Sequence, residues 1–204
     1  TLCRSLVSHP LIELALTPPG KTREPETTTV LANAIASQAH PAARFLEIAA
    51  LAGQAELCSS HQPPTEPIVG AGYMAPCAGG MVIGSTYEYR TWTTAEAIAS
   101  NLAPWLEHGR HRASFRGFRT ITSDRVCIVG DLYTRDLEII PNLKIATGFG
   151  STGMTSAPLA GECIAADLAG EFAPITQDLE RAVGSARFRQ RQARRGPRMN
   201  ANPD

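Results

Sequence analysis

"IATGFGSTGMTSAPLAGECIAADLAGE", residues 145–171, is the stretch from which the rest of the chain can be read. A short β-prone run from Lys144 to Thr147 feeds a turn with glycines at Gly148, Gly150 and Gly153, and an Ala-rich amphipathic segment follows. The pattern predicts a strand, a glycine turn and a helix from Ser156 to Leu168, with Pro158 in its first turn and Gly170 just past its end. Glycines let a backbone come close to a ligand, and the amides that open a helix carry partial positive charge. The same residues also fit a tight strand-to-helix connection with no ligand, so the turn alone does not fix a function.

Upstream, residues 1–7 read as the end of an amphipathic helix, 17–29 as a Pro/Thr/charge loop and 28–34 as a buried strand ending at a turn. Residues 45–60 form a β-prone run with apolar side chains on both faces, and Gly53 within it marks a bulge or a close backbone approach. Residues 67–76 and 79–89 have the spacing of an antiparallel hairpin. A helix is predicted over 93–109, starting at Thr93 or Thr94 with Glu96 in its first turn and stopping at Gly109. Pro104 should bend or break it near Leu102 to Ala103. The runs 111–124, 125–134 and 138–147 are again β-prone. The order predicts an α+β fold with a largely antiparallel mixed sheet and a terminal strand, Gly turn and helix.

Composition sets outer limits. With 204 residues and 43% hydrophobic content the chain can bury a sizeable core. Nineteen basic residues balance 19 acidic ones, so overall charge gives no argument for a polyanionic partner. The five cysteines are widely spaced and form no CxxC pair, which suits a reducing compartment. No run approaches the roughly 18–20 apolar residues of a membrane span, and "TLCRSLVSHP" has no signal-peptide pattern. A cytoplasmic protein with no membrane partner is expected, and a chain opening on Thr1 in mid-helix reads as entered partway through. His9, His40, His61, His108 and His111 fall in loops or at element ends, so no Ser/His/Asp set and no metal site is expected.

Several motifs, in order, carry a resemblance. "GFGSTGMTSAP" followed by Glu162 resembles the C-terminal strand, Gly turn and helix of the D-amino-acid oxidase-like FAD-dependent oxidoreductases. "VLANA" (30–34) resembles the strand that ends beside the cofactor in that family. "AGQ" (52–54) resembles the lead into its substrate domain, and "GYMAP" with "MVIGSTYE" its central hairpin. "GFRTITSDRVCIVG" (117–130) resembles a further family motif, keeping Arg119, Thr122, Asp124 and Gly130 but with Ser123 and Cys127 in place of proline. Thr152 likewise stands where the family often has arginine. Residues 1–188 are covered, and the family's N-terminal dinucleotide-binding half is absent. Within the family the motifs look closest to the branch that modifies the wobble uridine of tRNA.

The resemblance implies the C-terminal half of a D-amino-acid oxidase-like fold. Residues 1–34 would be a helix end, loop and strand returning to the FAD domain. Residues 35–140 would be the antiparallel substrate domain and 141–188 the last strand and helix of the FAD domain, with 189–204 a basic, disordered tail. FAD is the implied cofactor, bordered by Gly148, Phe149, Gly150, Ser151, Thr152, Gly153, Met154 and Thr155. Arg119 is the implied catalytic and substrate-binding residue, clamping a carboxylate, with Tyr87 and Tyr73 in the same pocket. A surface strand arginine or a partner for Asp124 are the other readings of Arg119.

The implied reaction is oxidative removal of the carboxymethyl group from 5-carboxymethylaminomethyluridine. A glycine- or sarcosine-type oxidase fragment and a non-catalytic, partner-binding subunit without flavin are the alternatives. Residues 181–198 hold seven arginines and no acid, a run that could meet tRNA phosphates or simply be solvated. A second chain supplying the nucleotide-binding half is a further possible partner.

Overall fold

The computed structural model describes residues 2–15, 27–105 and 109–195. In chain order the elements are α1 (Leu2–Val7), β1 (Thr29–Leu31), β2 (Ile48–Ser59), β3 (Ile68–Val69), β4 (Tyr73–Cys77), β5 (Gly80–Gly84) and α2 (Thr94–Leu102). Then come β6 (Arg110–Thr122), β7 (Ile128–Tyr133), β8 (Ile139–Thr147), α3 (Gly153–Ala169), α4 (Gln177–Val183) and α5 (Ala186–Arg195). Short 3-10 turns cover Ala34–Ala39, Pro41–Ala43 and Ala103–Trp105. The fold is α+β, and its strands form two sheets. One is antiparallel, ordered β3-β4-β5-β2-β6. The other is mixed, ordered β1-β8-β7, with β1 parallel and β7 antiparallel to β8.

The antiparallel sheet grows from the β4–β5 hairpin, whose register pairs Tyr73 with Gly84 and Cys77 with Gly80. Cys58, Met74, Met81 and Ile83 form its apolar core, covered by Leu102 and Trp105. Helix α2 begins at a capping box: the Thr93 hydroxyl accepts from the Glu96 amide, and the Glu96 carboxylate accepts from the Thr93 amide. It gives way to a 3-10 turn at Ala103, because Pro104 has no amide proton to continue the α-helical ladder. The remainder of the helix expected up to Gly109 lies outside the described residues. Gly53 sits in regular pairing opposite Gly117, so it marks a close approach; the irregularity in β2 falls instead between Leu57 and Cys58.

The mixed sheet packs Ile128, Leu132, Leu143 and Ile145 against Ala43, Leu46, Ile48 and Phe188. Val129 on its other face meets Ala160 and Ile164 of α3. Lys144 is buried in β8, and its ammonium donates to Asp131 of β7 at 2.7 Å and to Asp167 of α3. Burial disfavours its charge, but the two carboxylates outweigh that and raise its pKa. One cation thereby joins three elements.

Three expectations need correction. The boundary expected at residue 140 falls inside β8, and β7, assigned to the substrate unit, pairs with β8 because its apolar face closes the mixed sheet's core. Helix α3 starts at Gly153, three residues early, so Pro158 lies in its second turn. Residues 189–195 belong to a helix: Arg187, Arg191 and Arg195 recur every fourth residue, one face of a helix, and all three meet carboxylates. Residues 196–204 lie outside the described residues. Among the described residues, no helix is long and apolar enough to cross a membrane.

Candidate active site

Strand β8 ends at Thr147, and the chain turns through Gly148 at φ +75° and Gly150 at φ +57°, values that favour glycine. A Cβ on Gly148 would come within 2.7 Å of Thr122 Cγ2, so the missing side chain lets the turn lie against the end of β6. The Gly150 amide donates to Thr120 O at 2.9 Å, and Phe149 forms a bridge with Ile121. The turn of one sheet is thereby stitched to the strand of the other that carries Arg119.

Helix α3 then opens without a side-chain cap at Thr152. The Thr152 hydroxyl donates back to Phe149 O, and the Thr155 hydroxyl donates to Thr152 O. The Thr155 and Ser156 amides donate to the Thr152 carbonyl, and the Gly153 and Met154 amides receive no side-chain acceptor and keep their partial positive charge. A cleft of about 620 Å³ runs beside this turn, between the end of β1 (Val30, Ala32, Ala34), β6 (Phe118, Arg119, Thr120) and α3 (Ala157, Gly161, Ile164). Gly148, Phe149 and Gly150 line it, whereas Ser151 to Thr155 continue past it into the helix start. Thr147 also lines it, and its hydroxyl is buried with no hydrogen-bond partner. An unsatisfied buried hydroxyl carries a cost, and alternation along β8 places this one on the face of Leu143 and Ile145, toward the core.

The glycines at 148, 150 and 153 also have G-x-G-x-x-G spacing between a strand and a helix. The next elements after α3 are the helices α4 and α5, not a strand parallel to β8. The turn is therefore not the start of a βαβ dinucleotide unit.

Arg119 sits on β6 with its guanidinium held at three points. Nη1 donates to Thr86 O at 3.1 Å, Nη2 donates to Ser85 Oγ at 2.5 Å, and the group stacks over the Tyr87 ring at 4.6 Å. It lies across Gly53, where a Cβ would stand 1.9 Å from Nη1. On this side a second hollow of about 330 Å³ is lined by residues 53–55 of β2, Tyr73, Ser85 and residues 115–119 of β6. Tyr73 thus lines this hollow with Arg119, Tyr87 stacks on the guanidinium without lining it, and Arg119 lines both hollows. Ser85, Thr86, Phe118 and Thr147 were missed, since none of these residue types is diagnostic by itself. The only signal for Ser85 and Thr86 was their place beside Tyr87 at the end of the hairpin.

Asp124 does not pair with Arg119. It accepts from Arg187 Nε at 2.9 Å and Arg191 Nη2 at 2.8 Å. Burial opposes its ionisation, but the two guanidinium groups prevail and hold its carboxyl well below the ordinary range. The opposite face of the five-stranded sheet carries a group of buried polar side chains beside its apolar core. There Glu56 accepts from Gln54, Asn101 and Ser114 and contacts His111 Nε2 at 2.9 Å. Those bonds outweigh the burial that would raise its pKa, so it is lowered. The His111 and Ser114 contacts use the same ring nitrogen, which is not the relay of a hydrolytic triad. A larger hollow of about 990 Å³, lined by Ser59 to Gln62 and Gly109 to Arg112, lies at the far end of β2 and β6 from Arg119.

Known proteins resemble the chain over most of its length. The tRNA 5-methylaminomethyl-2-thiouridine biosynthesis bifunctional protein of Burkholderia thailandensis is 30% identical over 215 residues, covering 90% of this chain and 33% of its own length. Its Burkholderia multivorans counterpart is 31% identical over 209 residues, covering 85% and 31%. The chain thus spans about a third of the length of these curated relatives. Iminodiacetate oxidase from Chelativorans sp. shares the fold with a TM-score of 0.59 at 22% identity, over 79% of this chain and 47% of its own. Glycine oxidase from Bacillus cereus does so with a TM-score of 0.58 at 22% identity, over 69% and 41%. The family model for FAD-dependent oxidoreductases (DAO) matches residues 15–167, three-quarters of the molecule, and the chain belongs to that family.

Proposed function

We propose that this chain forms the substrate side and flavin-ring side of an FAD-dependent amine oxidoreductase whose substrate is a carboxymethylaminomethyl group on a tRNA uridine. The observation that carries the reading is that Arg119 lines both the cleft beside the glycine turn and the hollow over Gly53. A carboxylate bound by Arg119 would place its neighbouring C–N bond at the border of the two.

The cleft suits a flat heteroaromatic ring with one polar edge. Its walls are small or apolar, and α3 opens uncapped beside it. Bound there, FAD would supply the two-electron acceptor for oxidation of the carbon beside the amine. The imine left behind takes up water, releasing glyoxylate and leaving the aminomethyl group on uridine. In this reading Arg119 holds the carboxylate through two parallel hydrogen bonds. Tyr87 keeps the guanidinium flat, Ser85 fixes one of its edges, and Tyr73 closes the far wall. Gly148, Phe149 and Gly150 bring bare backbone to the ring, while the α3 amides favour negative charge at its polar edge.

The remaining part of the cofactor site belongs to a nucleotide-binding unit. The outer edge of β1 can receive it, since among the described residues β1 pairs only with β8. That unit can reside on the same polypeptide or on a second chain. The arginine-rich segment contributes less to tRNA than its composition implied, because Arg187, Arg191 and Arg195 meet Asp124 and Glu47; Arg194 is exposed.

The test is flavin uptake followed by substrate choice. The purified chain, alone and with any copurifying protein, is mixed with FAD and its visible absorbance recorded, then titrated anaerobically with modified tRNA, glycine or sarcosine. Bleaching by the tRNA supports the reading, and bleaching by free amino acid alone replaces it with a small-molecule oxidase. A colourless sample that never takes up FAD would sink the flavin assignment for this chain.

A further inference from the structure

We infer that Arg116 and Glu88, on the opposite face of the sheet from the hollow, are positioning residues for Arg119. Residues 85–88 follow β5 and run along β2, with the Thr86 amide donating to Gln54 O at 3.1 Å and the Glu88 amide to Ala52 O at 3.0 Å. Extended backbone sends alternate side chains to opposite faces. Ser85 and Tyr87 go to the face that carries the hollow, where both touch Arg119. Thr86 and Glu88 go to the other face, and both are buried.

On that face a continuous chain of hydrogen bonds fixes the segment. Arg116 donates through Nη2 to the Glu88 carboxylate and through Nη1 to Gln54 Oε1 at 3.2 Å. Glu88 Oε1 accepts from the Thr86 hydroxyl at 2.8 Å, and that hydroxyl accepts from the Gln54 amide at 2.9 Å. The Thr86 carbonyl then accepts from Arg119. The Glu88 side chain is fully buried, so Arg116 and Thr86 supply the partners water cannot. Removing its charge loosens Thr86, and with it the carbonyl that aims Arg119. Arg116 and Arg119 of β6 thus divide the work: Arg119 faces ligand, and Arg116 holds the frame.

The functional consequence rests on the proposal that Arg119 binds a carboxylate, but the positioning can be read without ligand. The 204-residue chain is labelled with ¹⁵N-arginine, and the Arg119 guanidinium signal is assigned by its loss in Arg119→Lys. Wild type should show separate, slowly averaging Nη signals. Glu88→Gln and Thr86→Val should merge them, while Thr86→Ser, which keeps the hydroxyl, retains the wild-type pattern. Iminodiacetate should bind ~10-fold more weakly to Glu88→Gln and Thr86→Val, with its neutral diamide unaffected.

Averaged signals in wild type, or wild-type signals in the folded Thr86→Val protein, overturn the inference. If Glu88→Gln does not fold, Thr86→Val against Thr86→Ser decides alone. If wild type binds no iminodiacetate yet Arg119 responds to the variants, the carboxylate reading fails and the positioning stands.

Discussion

Arg119 occupies the space that a side chain on Gly53 would need: a Cβ built there stands 1.9 Å from its Nη1 and 2.6 Å from Thr86 O. The guanidinium is therefore laid flat on the backbone of β2, and a glycine two residues along from its pairing partner Leu51 is what permits it.

Gly53→Ala should consequently displace Arg119 from Thr86 and Ser85. The cost in stability is expected to be about 1–3 kcal/mol, that of an overpacked site. The larger effect should be on carboxylate binding, with iminodiacetate affinity by calorimetry falling toward that of Arg119→Lys. Unchanged binding in Gly53→Ala would remove Arg119 from the carboxylate role.

Thr147→Val tests the core at the end of β8. Valine fills the same space without the hydroxyl, and a buried hydroxyl lacking a partner costs about 1–3 kcal/mol. The variant should match or exceed wild type in urea unfolding. A less stable protein would mean that the hydroxyl serves the fold.

Asp124 supplies a pH dependence. Its folded pKa lies below its unfolded one because of Arg187 and Arg191, so the stability it contributes is complete above the unfolded value of about 3.9 and is lost as pH falls through the folded one. Asp124→Asn should be less stable at neutral pH by about 2 kcal/mol. That gap should narrow progressively below about pH 4, where wild type itself loses the contribution. Urea midpoints measured across that range check both the size and the sign.

Phe188→Ala should cost about 3–5 kcal/mol, since the ring is fully buried in the core of the mixed sheet. Truncation before Ala186 should be more severe, because the ion pairs of Arg187 and Arg191 leave with it. Loss of the cooperative thermal transition in the truncated protein is the expected result.

Much of this architecture was legible in the residue pattern, and the reasons differ by element. Gly148, Gly150 and Gly170 announced the turn and the helix stop, since left-handed backbone favours glycine, and Thr93 with Glu96 announced α2. The hairpin followed from two β-prone runs around Ala78 and Gly79. What periodicity could not show was the polar layer of Gln54, Glu56, Glu88 and Asn101. Buried polar groups are stable only through partners far along the chain, such as His111 and Ser114 for Glu56. The arginine-rich segment misled for the same reason: charge read along the sequence looks solvated until Glu47 and Asp124 arrive from elsewhere. Arg119 was identified by its motif, while its clamps Ser85 and Thr86 were ordinary residues given a role by strand alternation.

Helix α5 also bears on how the molecule is made. Phe188 completes a core otherwise built from residues 43–145, and Arg187 and Arg191 engage Asp124, more than sixty positions earlier. A ribosome delivers those residues late, after the strands they cover. The β4–β5 hairpin and β2 can associate as soon as they emerge, but the mixed sheet has to wait, its apolar face open, until α5 is released. Synthesis in the cell should therefore leave this sheet as the span in which chaperones bind the nascent chain and in which premature termination is most damaging.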